Sequence, residues 1–308
     1  IARHMGIDFG IDNWEKLGHD IPLLVNCQPA GEHLMEGFFK AGGIPAIMQE
    51  LMKNNKLHKD LMTVTGKTIA ENLIEKIDID ENIIKSFKNP LVNNAGFIVM
   101  KSNFFNSAVM KTSVISSEFR KRYLSNPTSL NLFEANAVVF EGPEDYHLRI
   151  NDESLNIDEN SILMIRGCGP VGYPGSAEVV NMQPPDKLLK QGINTLPTLG
   201  DGRQSGTSES PSILNVSPES AIGGSLLIVE TGDKIKIDLN NSRIDLMISS
   251  EEIEKRRKKV KIPKLENQTP WQEISRKMVG QLETGACLET ESLYLDITNT
   301  KGMPRHSH

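Results

Sequence analysis

Cysteine is scarce in this sequence: Cys27, Cys168 and Cys287 are the only three in 308 residues. No two of them have the Cys-x-x-Cys spacing, and none has a histidine at ligand spacing. The chain therefore offers neither a zinc site nor a complete iron–sulfur site of its own. An odd and sparse count of thiols fits a reducing, cytoplasmic setting. Long apolar runs are also missing; none reaches the roughly 18 residues that a membrane span needs. No basic stretch followed by an apolar core opens the sequence, so a secretory signal is not expected. Positive charge is not concentrated either. The net charge is −6, and the one basic run, Lys255 to Lys259, follows Glu251, Glu252 and Glu254. That order suits a solvated helix with acids first and bases last. Neither nucleic acid nor a membrane is expected as a partner.

What is present is enough for a folded protein. Hydrophobic residues make up 38% of the chain, sufficient for a packed core, and the length allows one large domain or two ordinary ones. The sequence starts at Ile1 rather than Met and soon alternates apolar and polar residues. This sets the expectation of a longer protein whose chain begins upstream.

In chain order, Asp12 to Leu17 reads as a short helix entry. The apolar run Ile21 to Val25 reads as a buried strand of a parallel sheet. The turn Gln28-Pro29-Ala30-Gly31-Glu32-His33 follows, where open α/β sheets place ligands. Glu32 and His33 are either site residues or caps of the next helix. Residues 34–53 give a helical pattern broken at Ala41-Gly42-Gly43-Ile44-Pro45, and residues 67–76 give another with Thr65 or Thr68 near its start. The texture changes at Lys88-Asn89-Pro90 and Asn93-Asn94-Ala95-Gly96, which places a domain boundary near residue 95.

Beyond it the expectation is mostly strands, at 97–100, 108–112, 137–140, 161–165 and 225–229. Residues 234–239 and 243–248 form a hairpin through Asn240-Asn241. Many short strands with few helices point to a barrel or sandwich. Helices are expected at 186–192, 251–259 and from Pro270 to about Glu283. The fold class is thus α/β plus β. Residues 1–95 form the C-terminal portion of an α/β domain, 96–258 a β-barrel-like domain, and 259–308 a tail with one helix.

Two loops carry the chemistry. Arg166 to Glu178 follows a strand and holds four glycines and two prolines. Glu178 there can cap a helix or ligate a hard cation such as Mg²⁺. Cys168 in the same loop reads as a buried, inert thiol. The second loop, Gly200-Asp201-Gly202-Arg203-Gln204-Ser205-Gly206-Thr207-Ser208, is a poor helix and a poor strand. It is either a surface turn or a loop that presents Ser205 and Thr207 to a substrate.

These stretches resemble the IlvD/Edd dehydratases. The likeness lies in Gly172-Tyr173-Pro174-Gly175-Ser176-Ala177-Glu178, in Leu196 to Ser208, and in Ser217-Pro218-Glu219-Ser220-Ala221-Ile222-Gly223-Gly224. Further matches are Pro22 to Asn26 with Gln28 to Glu32, Ala41 to Ala46, Thr63 to Thr68, Ala108 to Thr112, Thr269 to Glu273 and Thr300 to Arg305. The sugar-acid branch, the arabinonate and xylonate dehydratases, is the most similar. The likeness covers nearly all of this chain but only the C-terminal half of the family pattern. The cluster cysteines, most magnesium carboxylates and a modified lysine belong to the other half.

The resemblance implies a catalytic base at Ser205, a neighbouring active-site hydroxyl at Thr207 and a magnesium ligand at Glu178. Arg203 carries no implied role and reads as a structural ion pair. The implied cofactors are Mg²⁺ and an iron–sulfur cluster, [2Fe-2S] or [4Fe-4S], with its ligands in the missing half. The implied reaction removes water from a 2,3-dihydroxy acid to give a 2-keto-3-deoxy acid. The chain alone would then be inactive, and the whole enzyme a cytoplasmic homodimer or homotetramer. Branched-chain dihydroxy acids and 6-phosphogluconate are the alternative substrates within the family, and the Gln204 and Thr207 variants of the loop argue against both. A non-catalytic fragment or binding module is the alternative of another class.

Overall fold

A computed structural model describes residues 1–75, 77–175, 178, 181–203, 211–266, 268–290, 296, 299, 300 and 302, the side chain of His4 excepted. The chain divides into two compact units. One comprises residues 18–96 and 112–114, the other residues 1–17, 97–111 and 115–308.

In the smaller unit the helical pattern at 34–53 resolves into helices Met35–Lys40 and Gly43–Lys53. The break falls where Gly42 and Gly43 take φ of 112° and 57°, a left-handed backbone that glycine adopts without strain. Thr68 starts the helix Ile69–Asn72 with a capping box: its hydroxyl accepts from the Glu71 N–H while Glu71 accepts from the Thr68 N–H, which satisfies two orphan donors. Phe38, Ala41, Ala46, Ile83 and Ile84 form the unit's small core with Cys27.

The run Ile21 to Val25 departs from expectation. Leu23 makes a single antiparallel bridge to Val92, and Val25 one to Ile84. Of residues 21–27 only Leu24 and Cys27 are buried. A parallel-sheet strand needs burial on both faces, and the rest of this segment is only partly covered.

Among the described residues the larger unit carries eight strands: β1 (Phe97–Met100), β2 (Ser107–Lys111), β3 (Leu132–Phe140), β4 (Ser161–Ile165), β5 (Thr198–Gly200), β6 (Ser212–Ser217), β7 (Lys234–Asp238) and β8 (Arg243–Leu246). They form one sheet in the order β1-β2-β6-β5-β4-β3-β7-β8. The middle four, β3 to β6, are mutually parallel, and antiparallel pairs flank them on each side. The two edges meet where the Lys101 N–H donates to the Ser242 carbonyl at 2.8 Å and the Ile244 N–H donates to the Lys101 carbonyl at 2.9 Å. The sheet therefore curls into a barrel-like form, which leaves little edge unpaired. This is the mixed α/β and barrel architecture expected from the strand pattern.

Period-two alternation sorts the parallel strands onto two faces. Ala137, Val139, Ile162 and Met164 join the larger core with Phe104, Met110 and Phe119. Val138, Phe140, Leu163 and Ile165 pack on the other side against Tyr146, Leu188 and Leu196. Burial on both faces is why β4 reads as an unbroken apolar run. The helix Pro143–Arg149 lies between β3 and β4 in the chain, and Asp186–Leu189 between β4 and β5.

Residues 225–229 correct a second expectation. Ser225–Ile228 is a 3-10 turn outside the sheet, although Leu226 and Ile228 are fully buried. Its carbonyls are satisfied by guanidinium groups instead of a neighbouring strand. Arg166 donates to the Leu226 and Val229 carbonyls at 2.9 and 3.1 Å, and Arg256 to that of Ile228 at 3.0 Å. Buried carbonyls must find donors somewhere, and here two arginines supply them.

The helix Ser250–Arg257 follows the sequence reading, with Ser249 as its cap, acids in its first turn and bases in its last. Its basic run is largely paired: Lys255 with Glu252, Arg256 with Asp233 and Arg257 with Glu254. The helix Pro270–Met278 is capped by Thr269 and Gln272. Among the described residues, no helix is long and apolar enough to cross a membrane.

Candidate functional site

The parallel run of β3 to β6 brings the C-terminal ends of four adjacent strands to one edge of the sheet. Three of the segments that leave there are tied together: residues 166–175 after β4, 201–203 after β5, and 218–224 after β6. The C-terminal ends of parallel strands are where such sheets gather functional groups.

Two carboxylates do the tying, and both are fully buried. Asp201, one residue beyond β5, accepts from the N–H groups of Gly167 at 3.0 Å, Cys168 at 2.9 Å and Ser220 at 2.8 Å. Because β5 lies between β4 and β6, one short side chain reaches the loops on both of its flanks. Glu219 accepts from Val171 at 2.9 Å, Gly172 at 2.8 Å and the Gln281 side-chain amide at 2.8 Å. The Gln281 carbonyl oxygen in turn accepts from the Glu219 N–H at 2.9 Å. A Cβ on Gly169 would fall 2.4 Å from the Glu219 carboxylate, so glycine there makes room for the buried acid.

Burial pushes the Glu219 carboxyl above the ordinary glutamate range; the Gly172 and Val171 amides and Gln281 pull it back, and the charge of Asp201 pushes it up again. A raised folded-state value means that the native protein holds this proton at pH values where the unfolded chain has lost it. Stability from Glu219 is therefore full below the ordinary range and declines as pH rises through the folded value. The expected result is that the stability difference between wild type and Glu219→Gln shrinks from about pH 4 toward neutrality, measured by urea unfolding at each pH. A difference that grows over this window would contradict it.

Glu178 is exposed, and its backbone makes an isolated parallel bridge with Arg203. The two glycine-rich loops thus meet at one end of the sheet, and Glu178 lies beside the strand end that leads into residues 204–210. No described helix begins at Glu178; the next one starts at Asp186. Ser205 and Thr207 lie outside the described residues. Glu32 and His33 sit in the smaller unit, where His33 bridges Cys27. Neither caps a helix by its side chain, since the following helix has Leu34 at its N-cap without a side-chain bond.

Among the described residues, the thiols are not gathered with other ligands as an iron–sulfur cluster needs. Cys168 is buried, its sulfur faces the Arg166 carbonyl at 3.8 Å, and burial pushes it far above the ordinary thiol range. Its burial is in keeping with the inert role expected of it. Cys27 faces the Met35 sulfur at 3.6 Å. Among the described residues, no group of three or more His, Cys, Asp or Glu could hold a metal. The exposed Glu178 carboxylate does fit a hard cation as one oxygen donor.

Sequence reasoning missed Asp201 and Glu219 as fixed points of the site. The available signal was an acid placed immediately after a glycine or proline at each strand end, in Gly200-Asp201 and Pro218-Glu219.

The model of the dihydroxy-acid/6-phosphogluconate dehydratase C-terminal region matches residues 82–286. The model of the N-terminal region of the same dehydratases matches residues 1–72. The chain belongs to this family. It is 55% identical over its whole length to the D-xylonate dehydratase of Caulobacter vibrioides, covering 51% of that protein. It is 40% identical to the L-arabinonate dehydratase of Rhizobium leguminosarum bv. trifolii, over 83% of this chain and 42% of that protein. It is also 35% identical to a dihydroxy-acid dehydratase of Clostridium kluyveri, over 94% of this chain and 50% of that protein. The chain spans about half the length of these curated relatives.

Proposed function

We propose that this chain is the C-terminal part of a sugar-acid hydro-lyase that converts an aldonate to a 2-keto-3-deoxy acid. One observation carries the reading most: the Glu178–Arg203 bridge brings the loop that ends at Glu178 beside the strand end that leads to Ser205. The higher identity to a D-xylonate dehydratase than to a dihydroxy-acid dehydratase favours the sugar-acid substrate.

The reaction removes the proton from C2 and the hydroxyl from C3 as water; the enol left behind becomes the 2-keto acid. In this reading Ser205 takes the C2 proton, which requires its hydroxyl to ionise far more easily than in water. Thr207 supplies a hydrogen bond beside it. Glu178 contributes one carboxylate to Mg²⁺, which when bound holds substrate oxygens and lowers the cost of the developing negative charge. The cluster ligands are assigned to the half of the protein outside this chain, and no step is derived through them. The chain alone is accordingly proposed to be inactive. The whole enzyme is proposed to be a cytoplasmic homodimer or homotetramer.

The test is an assay of the full-length polypeptide on a panel of aldonates, read by 2-keto-3-deoxy acid formation. Turnover of at least one pentonate is expected. Turnover of branched-chain dihydroxy acids with none of any sugar acid would replace the substrate assignment.

A further inference from the structure

We propose that Asp201 is a positioning residue, whose carboxylate fixes the point from which the Ser205 loop departs; this rests on the reading of Ser205 as the base. Asp201 is fully buried, a costly place for a carboxylate unless its oxygens are hydrogen-bonded. Its described partners are backbone N–H groups: Cys168 on one oxygen, Gly167 and Ser220 on the other. All three are donors, so only a group that accepts at both oxygens satisfies them. The next residue is held as well, since the Asn215 N–H in β6 donates to the Gly202 carbonyl at 3.1 Å. The exit of the loop is thereby fixed against both neighbouring strands, three residues before Ser205.

Asp201→Asn keeps the shape and breaks the pattern. Its amide has one accepting oxygen and one donating nitrogen, so either orientation sets an N–H against an N–H. The loop then leaves β5 from a shifted position. Misplacement of a reacting group by about 1 Å costs roughly 10²-fold in rate.

The experiment compares wild type, Asp201→Asn and Arg256→Ala in the full-length polypeptide. Arg256, paired with Asp233 and donating to the Ile228 carbonyl, serves as a control that loses stability without bonding to any of the three tied loops. Asp201→Asn is expected to lose about 10²-fold in kcat with KM within about threefold, while Arg256→Ala keeps its kcat. In parallel, amide exchange of Asp201→Asn is expected to accelerate at least tenfold at Gly167, Cys168, Ser220 and Asn215, with the other strand amides unchanged. If wild type turns over sugar acids and Asp201→Asn matches it in kcat, the positioning role is overturned while the function stands. If wild type has no activity on any sugar acid, the function falls. Exchange then decides the positioning role: unchanged protection at Asn215 refutes it, and local acceleration supports it.

Discussion

Glu219→Ala is expected to destabilise the larger unit by about 3–5 kcal/mol. The side chain is fully buried and gathers donors from two segments that are distant in sequence, Val171 and Gly172 after β4 and Gln281 near the C-terminus. Each buried donor left without an acceptor costs about 1–3 kcal/mol. Removal of the carboxylate relieves its own burial and its repulsion with Asp201, which offsets part of that sum. Against a typical stability of about 5–15 kcal/mol, the remainder is large, and the midpoint of thermal unfolding should fall by roughly 10 °C. Differential scanning calorimetry checks this. Glu219→Gln separates shape from hydrogen bonding: it fills the same space with one accepting oxygen, so the loss that remains in it is the share owed to the second oxygen. A Glu219→Ala protein that melts within 2 °C of wild type, a margin below about 1 kcal/mol at this size, would show that water replaces the carboxylate at no cost.

The parts legible in the sequence were those where burial follows a simple period. β4 is apolar at four successive positions, Ile162 to Ile165, because both of its faces are covered. The β7–β8 hairpin alternates strictly because it pairs Ile235, Ile237, Ile244 and Leu246 toward one core. Helix starts were legible where a hydroxyl caps, at Thr68, Ser249 and Thr269. Failures came where tertiary partners replaced local ones. Residues 225–229 look like a strand because alternate side chains are buried, yet their carbonyls are met by Arg166 and Arg256, whose position no local pattern reveals. β5 has three residues and ends in glycine, and β6 holds two serines and Asn215 at φ 57°. Both strands are defined by their neighbours more than by their own composition. The candidate loops were visible as glycine-rich segments, but the acids that anchor them were not. A buried aspartate and an exposed one look alike until the donors around them are known.

Ser205→Ala is expected to lower turnover of the full-length enzyme by about 10³–10⁴-fold, the upper range for loss of a positioned proton acceptor. The substitution deletes one oxygen and adds no bulk, so metal content and thermal midpoint should stay at wild-type values. The chemistry of the step explains the size of the loss. The C2 proton of a sugar acid is weakly acidic, and the family resemblance assigns its removal to Ser205 rather than to the neighbouring hydroxyls. Asp201 is fully buried and committed to three N–H groups, Arg203 offers hydrogen-bond donors and no acceptor, and Thr207 lacks the implied role of base. Two measurements test the assignment. Single-turnover formation of the 2-keto-3-deoxy acid reports the whole reaction, and deuterium uptake at C2 from D₂O reports the proton transfer alone. Both should collapse together in Ser205→Ala. If deuterium uptake persists while product formation fails, Ser205 acts after proton abstraction, at loss of the C3 hydroxyl, and the base must be sought in the half of the enzyme outside this chain.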